Sequence, residues 1–487
     1  MRKIFLLILT ISVLCSGYCF AQELKSVEPF NKDDRILILS PHPDDETIAC
    51  AGVIQQALKV GAGVRIVYLT NGDHNQIAFI VYERRLTLRR GEFIHMGEVR
   101  RQEAINAMKL LGVSESNLIF LGYPDFGTFT IFSRYWQNTL SYKSFLTRIS
   151  AVPYKEDLSF GAPYIGESIL SDIKDVLLSY KPNKIFVSHP ADTNVDHRAL
   201  YLFLQIALRD LNKELPQPKI YPYLIHCIGW PLPRHFHPQL SLEPPSKFMV
   251  VQESIKHFPI PLRKSPKEII AEGDFLDNQT NWLKLDLTPE QIGKKYQAIL
   301  CYKSQTESSA FYLLAFARKN ELFGDYPDID LSKQVSVREQ GVSFFGFSDM
   351  FTDPDAGVLG GLENLVGGKG EVSYAVVDNS ILIRIEKPKK LTRAFSLQLY
   401  LFGYNYKTSF ALMPKIRIVT RNNKFRVFDG RKMIKTKGVS VDFNSNILIL
   451  KVPLGVLGDP DFILTSIKTY GEILPFDTTA FRKIYIK

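Results

Sequence analysis

Two clusters of polar residues contain the side chains of this sequence that could perform chemistry. The first cluster has the sequence PHPDDE at residues 41–46, and the second has the sequence HPADTNVDH at residues 189–197. Each cluster holds several ionisable groups, and burying charge without a partner is costly. A metal ion is a partner that histidine and carboxylate side chains can share. The two clusters therefore indicate a metal-binding site.

The spacing within the clusters suggests which groups would reach one ion. His42 and Asp45 are three residues apart, so both could bind the same ion from one turn, with Asp44 alongside. His197 would complete a set of two histidines and one carboxylate, which leaves one position open for water, as catalytic zinc requires. The alternative for Asp44 and Glu46 is that they only favour a helix N-terminus, where acids complement the helix dipole.

Two residues of the second cluster have other interpretations. Asp196 would serve either as a partner that orients a metal-binding histidine ring or as a helix cap. His189 begins the cluster, and we expect it to orient the turn rather than to bind metal.

Strands and helices alternate around these clusters. The hydrophobic pattern predicts strands at 35–40, 64–70, 117–121 and 184–188, and helices at 45–60, 99–111, 168–180 and 196–208. This alternation predicts the α/β class, with a Rossmann-like, mostly parallel sheet. Ligands of such sheets gather beyond the carboxyl ends of the strands, where both clusters lie.

The pattern changes after about residue 330. The segments 371–386, 394–405, 415–428 and 439–452 are β-rich and alternate between apolar and polar residues. They predict an antiparallel β-sandwich. We therefore expect an α/β domain at residues 30–325, a linker at residues 326–340 and the sandwich at residues 341–487.

The N-terminus has the pattern of a secretory signal. Arg2 and Lys3 precede an apolar run too short to span a bilayer, and Ala21 lies at the expected cleavage point. We expect residues 1–21 to be removed from an exported protein, periplasmic or secreted, that has no stable membrane span. A retained anchor is the alternative. Three cysteines would remain, too few for a disulfide framework.

Positive charge is concentrated in the C-terminal part of the chain. The net charge is +10, and residues 332–487 hold 23 Lys and Arg against 14 Asp and Glu. Nine of these cations lie between residues 415 and 437. On a β-hairpin many of them would share one face and attract an anionic glycan. A solvated face that protects the sheet edge is the alternative. We expect no nucleic-acid partner, because no recognition motif is present.

Several motifs in the same order resemble one known family. The sequence is similar to the LmbE/PIG-L family of zinc-dependent N-acetylglucosaminyl deacetylases in both clusters and in three shorter motifs, YLTNGD at 68–73, RRQE at 100–103 and LGYPD at 121–125. The resemblance covers roughly residues 33–325. It implies a hydrolase that removes acetyl groups from N-acetylglucosamine-type amino sugars by attack of a zinc-bound hydroxide.

The resemblance also implies roles for individual residues. It implies zinc ligands at His42, Asp45 and His197. Asp44 corresponds to the general base of the family, which takes a proton from the attacking water. Arg100 and Asp125 fall where members of the family contact sugar hydroxyls.

One position departs from the family pattern. Members often carry a histidine three residues before the last ligand, where this sequence has Asn194. An asparagine can donate a hydrogen bond to an oxyanion but cannot donate a proton to the leaving amine. We therefore expect either Asp44 to return the proton or His226 to act as the acid. Two rival functions remain: a zinc amidase acting on another sugar-conjugate amide, and a catalytically idle glycan-binding protein.

The end of the predicted sandwich loosely resembles carbohydrate-binding modules of the family 9/DOMON-like type. The similarity rests on residues 452–458 and 462–465. It implies a glycan ligand for which Tyr400, Tyr404 and Tyr406 would either supply stacking surfaces or pack in the core. As a separate module, residues 340–487 would be removable without loss of activity on small substrates.

Overall fold

A computed structural model describes most of the chain. The described residues are 24–84, 89–137, 139–227, 230–245, 280–333, 336–340, 371–386, 395–421, 424–444, 446–471 and 474–487. The predicted signal at residues 1–21 lies outside them. Among the helices of the described ranges, none has both the length and the apolar character needed to cross a membrane.

The first part of the chain alternates strands with helices, as predicted. In chain order these elements are β1 (Lys25–Ser26), β2 (Arg35–Ser40), α1 (Asp45–Lys59), β3 (Gly63–Thr70), α2 (Gln76–Glu83), α3 (Arg90–Leu111), β4 (Leu118–Tyr123), α4 (Thr128–Arg134), α5 (Gly166–Tyr180), β5 (Lys184–Ser188), α6 (Val195–Asp210), β6 (Lys219–Tyr223), β7 (Asn281–Asp286), α7 (Pro289–Ile299), α8 (Lys303–Leu313) and β8 (Asn320–Asp325). All eight predicted elements are present. Helix α3 begins nine residues earlier than predicted, at Arg90.

Five parallel strands form the sheet that carries both polar clusters. Their order is β4-β3-β2-β5-β6, and every neighbouring pair is parallel. The strand order reverses between β2 and β5, which pair directly through Ile38 and Phe186. A crevice forms beyond the strand ends at such a reversal. Because the first cluster follows β2 and the second follows β5, the fold brings them together there.

Helix α1 begins inside the first cluster. Asp44 is its N-cap residue, and Asp45 and Glu46 lie in its first turn, where they complement the helix dipole. Asp44 and Glu46 therefore lie at a helix N-terminus, as the helix-terminus interpretation requires. That interpretation does not compete with a metal site, because the same turn delivers the polar groups to the crevice.

The C-terminal part of the chain is β-rich and antiparallel except for the parallel pair of β9 and β21, which confirms the predicted class. Its strands are β9 (Ile329–Asp330), β10 (Ser336–Gln340), β11 (Glu371–Val377), β12 (Ser380–Glu386), β13 (Phe395–Tyr404), β14 (Lys415–Arg421), β15 (Lys424–Asp429), β16 (Lys432–Ile434), β17 (Ser440–Asn444), β18 (Ile447–Pro453), β19 (Phe462–Gly471), β20 (Leu474–Thr478) and β21 (Arg482–Tyr485). One sheet has the order β10-β11-β12-β18-β17, and the larger one has the order β16-β15-β14-β13-β19-β21-β9, with β20 paired to β19.

The segment predicted as a linker contributes strands to these sheets. Ile329–Asp330 pairs with β21, and Ser336–Gln340 pairs with β11. Residues 326–340 are therefore not a simple connection between two domains. Their strands are only two and five residues long, and alternation over so few residues does not distinguish a strand from a loop.

Strand β13 belongs to two hydrophobic cores. Leu397, Leu399 and Leu401 are buried in the core of the C-terminal region. Tyr400 and Phe402 point to the opposite face and are buried in a core shared with the α/β region. Alternation of side chains along a strand explains both placements. The shared core argues against a separately removable module, although the effect of removing residues 340–487 stays a prediction.

The structure resolves one open alternative about this surface and corrects one expectation. Tyr400 and Tyr404 are only 8% and 3% exposed, so they pack in the core, whereas Tyr406 is 67% exposed. Lys415, predicted as part of a basic surface, is buried: its Nζ donates to the carbonyl of Met413 at 2.7 Å and lies 4.8 Å from the centre of the Trp136 ring. Burial lowers the pKa of Lys415 to about 7.

Candidate metal and catalytic site

Three buried side chains converge in the crevice between β2 and β5. The Oδ2 atom of Asp45 lies 3.1 Å from Nδ1 of His42 and 3.0 Å from Nε2 of His197. One ligand atom from each residue lies within 4.8 Å of the others. The structure therefore brings together the three residues predicted as metal ligands, from α1 and the turn before it on one side and from α6 on the other.

The second nitrogen of each histidine ring faces carboxylates. Nε2 of His42 lies 3.1 Å from Oδ1 of Asp125 and 3.3 Å from Oδ2 of Asp196. Nδ1 of His197 lies 3.1 Å from Oδ2 of Asp192. Metal-binding histidines usually have such a partner, which sets the tautomer and the orientation of the ring.

This set of groups fits a zinc ion. Two imidazoles and one carboxylate, with an open position, are a donor set of catalytic zinc sites. Both ring nitrogens of His197 are buried without a hydrogen bond of acceptable geometry to any described residue, although both lie close to carboxylates. A ligand at Nε2 would explain this arrangement. Residues His42, Asp45 and His197 would hold the ion.

The electrostatics of the cluster favour a cation. Burial opposes the charged form of each histidine, yet the neighbouring carboxylates raise the pKa of His42 and raise that of His197 to about 9. Burial likewise opposes ionisation of Asp45, but the two histidines hold its pKa below the usual range. The carboxylates thus stabilise positive charge between the rings, which a divalent cation would supply.

Asp44 lies beside the cluster in a constrained conformation. Its backbone φ is 126°, a value that residues other than glycine rarely adopt. Its Oδ2 lies 3.3 Å from Nη2 of Arg100. Burial raises the pKa of Asp44 to about 8, and the Arg100 charge opposes this shift. Strained backbone of this kind is frequent at functional sites.

Arg100 holds the turn that carries Asp44. Its guanidinium donates to the carbonyl of Pro43 at 2.7 Å and to that of Gly72 at 3.1 Å. Gly72 has a φ of +70°, and a Cβ there would lie 2.1 Å from Nη1 of Arg100. The turn after β3 therefore needs glycine at this position. Arg100 is 4% exposed, and its contacts orient Asp44. Sugar binding by Arg100 stays a prediction.

Asp125 also acts through a protein partner. In addition to its contact with His42, its Oδ2 accepts a hydrogen bond from the backbone N of His74 at 3.1 Å. The side chain is buried, and the adjacent His42 lowers the pKa of Asp125 against the effect of burial. Orientation of His42 is the role visible in the structure. Sugar binding by Asp125 stays a prediction.

Asn194 and His226 lie on either side of Asp192. The side-chain oxygen of Asn194 caps α6 by accepting a hydrogen bond from the backbone N of Asp196 at 2.8 Å, which leaves its amide nitrogen as the group able to donate. Nδ1 of His226 lies 3.2 Å from Oδ1 of Asp192. The His226 ring is edge-on to that of His197, with 4.5 Å between centroids, and its side chain is 31% exposed. His226 thus lies at the accessible edge of the cluster.

Asp192 is the residue that sequence reasoning missed. It is fully buried and accepts hydrogen bonds from the backbone N of Asn194 at 2.9 Å, of Ile225 at 3.1 Å and of His226 at 3.0 Å. His197 and His226 keep its pKa well below the usual value despite burial. Its place in the second cluster was visible in the sequence, but its partners after β6 were not.

Two open interpretations are resolved by these contacts. Asp196 orients a ring, that of His42, while the helix cap is Asn194. His189 orients its turn, as expected: its Nδ1 accepts from the backbone N of Ala191 at 3.1 Å, and burial lowers its pKa to about 3.

The sequence of this region matches a known family. Residues 37–208 match the family described as PIG-L: GlcNAc-PI de-N-acetylase. The match lies within the α/β region that carries the site, and this region is similar to that family. It is 32% identical over 108 residues to the 1D-myo-inositol 2-acetamido-2-deoxy-alpha-D-glucopyranoside deacetylase of Kineococcus radiotolerans. That match spans 21% of this chain and only 26% of the length of the relative.

Solved structures of similar proteins include two deacetylases. The N,N'-diacetylchitobiose deacetylase of Pyrococcus horikoshii is 17% identical, with 57% of this chain and 72% of that chain covered and a TM-score of 0.31. The deacetylase of A40926 pseudoaglycone is 16% identical, with 60% and 98% covered and a TM-score of 0.34. Likeness at this level carries no argument about the reaction. The C-terminal resemblance to carbohydrate-binding modules finds no support in these comparisons.

Proposed function

We propose that the protein is a zinc-dependent hydrolase that removes acetyl groups from N-acetylglucosamine-type amino sugars. The observation that carries the proposal is the cluster of His42, Asp45 and His197 with Asp44 beside it. The similarity of residues 37–208 to the PIG-L family supports an amide-cleaving reaction on an N-acetylated sugar. The departure at Asn194 bears on how the leaving amine receives its proton.

The protein groups have separate tasks in this reaction. A bound zinc ion would supply a Lewis acid that polarises the acetyl carbonyl and acidifies water. Asp44 takes a proton from the water that attacks the carbonyl carbon, and a pKa raised toward neutrality suits a general base. Arg100 keeps this carboxylate oriented toward the cluster. The C–N bond then breaks, acetate leaves, and a proton passes to the amine.

His226 is the group best placed to deliver that proton. It is partly exposed, its ring is edge-on to that of His197, and its Nδ1 lies 3.2 Å from Oδ1 of Asp192. Asn194 would instead donate a hydrogen bond to the developing oxyanion. Asp44 remains the alternative proton source, since a base that has accepted a proton can return it.

The His226→Gln variant separates these alternatives. We expect kcat to fall by about 10²-fold or more, because general acid catalysis typically contributes that much, while one zinc ion stays bound. His95→Gln, on the exposed surface of α3 where the His95 side chain is 59% exposed, is the matched control. An unchanged kcat in His226→Gln would assign proton return to Asp44.

The proposed reaction is tested by acetate release from a panel of amides. The zinc-loaded protein lacking residues 1–21 is incubated with N-acetylglucosamine, its β-1,4 oligomers, lipid-linked forms and N-acylated sugar conjugates. Acetate and free amine in equal amounts from an N-acetyl sugar would support the proposal. Cleavage of only another sugar-conjugate amide would favour the amidase alternative. Binding of glycans without any cleavage would favour an idle binding protein.

We also propose that the basic C-terminal surface binds an anionic glycan. The pairing of β14 with β15 places Arg421 opposite Lys424, and Arg426 lies on the same face, opposite Val419. All three cations are exposed. Arg417 shares the face and lies over the Phe428 ring at 4.5 Å. A polymer with regular negative charges would complement this surface.

Two tyrosine rings lie next to one arginine of the C-terminal region. Arg431 lies 5.0 Å from the centre of the Tyr135 ring, and that ring is 5.7 Å from the ring of Tyr142. Burial raises the pKa of Tyr142 to about 12, and Asp196 is close enough to contribute to this shift. A glycan could therefore pass from the site over two tyrosine rings to the arginines.

The prediction for this surface is a loss of salt-sensitive binding. We expect the triple variant Arg421→Gln, Lys424→Gln and Arg426→Gln to bind alginate, a polyuronate, about tenfold more weakly at low salt. Three exposed lysines of the α/β region provide the matched control, in the variant Lys32→Gln, Lys59→Gln and Lys109→Gln. Equal loss in both variants would show only a general effect of net charge.

Export is the remaining part of the proposal. The basic and apolar pattern of residues 1–21 supports it. Expression in a bacterial host with intact secretion, followed by mass measurement of the mature N-terminus, tests it. A chain that begins at Gln22 would support export, whereas an intact chain in the membrane fraction would indicate a retained anchor.

A further inference from the structure

Helix α4 begins at a carboxylate that orients a proposed metal ligand. The backbone N of Phe126 donates to Oδ2 of Asp196 at 2.6 Å, and that of Thr128 donates to Oδ1 at 3.1 Å. The hydroxyl of Thr128 also donates to this carboxylate. Oδ2 of Asp196 lies 3.3 Å from Nε2 of His42. The start of α4 therefore fixes the position of the carboxylate that contacts the His42 ring.

The start of α4 cannot hold this position by itself. The helix has only seven residues, and helices shorter than about 12 residues are marginal in water without tertiary packing. Phe126, directly before it, has a backbone φ of 55°, in the left-handed region. A bulky residue in that region is strained and persists only where the surroundings enforce it. The packing of α4 must therefore supply the stabilisation.

Part of that packing comes from α6, where the Phe203 ring lies 4.9 Å from that of Phe132, and the rest comes from the C-terminal region. Aromatic side chains of α4 and of the segment after it contact aromatic side chains of β13 and its neighbours. The ring pairs, with centroid distances, are Phe129 and Tyr400 (5.2 Å), Phe129 and Phe481 (5.7 Å), Phe132 and Phe402 (5.3 Å), Phe132 and Phe410 (5.6 Å), and Trp136 and Phe410 (4.8 Å). Phe402 and Phe481 are 0% and 2% exposed.

The C-terminal region also contacts the second polar cluster and its helix. The backbone N of Phe481 donates to the carbonyl of Pro190 at 3.0 Å. The hydroxyl of Tyr404 donates to Asp210 at 2.9 Å, and Nζ of Lys483 donates to Gln205 at 3.0 Å. Asp210 and Gln205 lie on α6, whose first turn carries His197. Both segments that complete the cluster around His42 therefore rest on the same C-terminal surface.

We infer that the aromatic surface formed by Tyr400, Phe402, Phe410 and Phe481 is a positioning element of the metal site. It holds α4 against α6, the first turn of α4 holds Asp196, and Asp196 holds the ring of His42. The C-terminal region is thus required for metal affinity as well as for its glycan contacts. The inference rests on the proposed function, because it assumes that His42 binds the metal.

Two neighbouring residues of β13 provide the test. Phe402 faces α4, and Leu401 faces the core of the C-terminal region. Phe402→Ala and Leu401→Ala both create cavities and both lower Tm. Zinc affinity is measured by competition with a chelator in the full-length protein. We expect it to fall about tenfold in Phe402→Ala and to stay unchanged in Leu401→Ala, because only the first change disturbs a group that orients a metal ligand. If Phe402→Ala does not fold, zinc affinity is measured in Phe402→Leu instead.

A double-mutant cycle checks that the effect passes through Asp196. Asp196→Asn alone weakens zinc binding, and we expect Phe402→Ala to add little further loss in that background, because both changes act on the same contact. Additive losses, or equal zinc affinity in Phe402→Ala and Leu401→Ala, would overturn the inference while leaving the proposed function intact. A wild-type protein that binds no zinc would overturn both.

Discussion

Asp44→Asn is expected to reduce kcat for acetate release by about 10²–10⁴-fold while zinc remains bound, because the variant lacks the general base. The Asp44 carboxylate lies beside the three ligand side chains, next to Arg100, and is not part of the group of ligand atoms that converge. An amide has nearly the same shape and can keep a contact with Arg100. Loss of turnover in this variant would therefore report chemistry rather than structure.

The matched control is Asp45→Asn at the next position. Asp45 contacts both histidines of the cluster, so its replacement should lower zinc affinity and turnover together. Zinc content after dialysis and kcat at saturating zinc distinguish the two variants. If Asp44→Asn lost zinc to the same extent as Asp45→Asn, Asp44 would be a ligand and the assignment of the base would be wrong.

The second large effect is expected for Asp192→Ala. This change removes a buried carboxylate that accepts three backbone hydrogen bonds and faces the rings of His197 and His226. We expect zinc affinity to fall about 10–100-fold, the usual cost of losing a partner that orients a metal ligand. The free energy of unfolding should fall by about 3–5 kcal/mol, since the buried groups that contact this carboxylate lose their partner.

Asp172→Ala is the control for the stability part of this effect. Asp172 accepts hydrogen bonds from Tyr123 and Ser159 and lies on α5, outside the groups of metal-binding geometry. It should lower Tm without changing zinc affinity. If zinc affinity fell in proportion to the loss of Tm in both variants, Asp192 would have only a structural role.

Sequence patterns predicted the α/β region well because its signals are local. The strand Lys184–Ser188 is buried along its whole length, and such strands are continuous apolar runs that a short window detects. The two clusters were predicted to meet because the carboxyl ends of parallel strands share one edge of a sheet. The direct pairing of β2 with β5 made them adjacent.

The partners of the site residues were harder to predict because they come from distant parts of the chain. Asp192 binds backbone groups of residues 225 and 226, which follow the next strand. Asp125 and Asp196 meet at His42 from different turns. A single sequence shows that each of these residues is acidic, but it does not show which histidine each one faces.

The contact between the two parts of the chain had no signal in the sequence. Alternation along β13 shows that Tyr400 and Phe402 share a face, but it does not show that α4 covers that face. Lys415 counted as a surface charge, yet its amine donates to two carbonyls and lies over the rings of Trp136 and Phe410. A buried amine is tolerated where carbonyls and aromatic faces surround it, so composition alone assigned it to the wrong environment.

The measurement that tests the central claim most directly is a zinc titration of the metal-depleted protein, with acetate release as the readout. The account predicts that activity on an N-acetylglucosamine substrate rises in proportion to added zinc and reaches its maximum at one equivalent. It also predicts no comparable activity in His197→Ala under the same conditions. Acetate release that persists without metal, or that His197→Ala retains, would contradict the assignment of the cluster as the catalytic metal site.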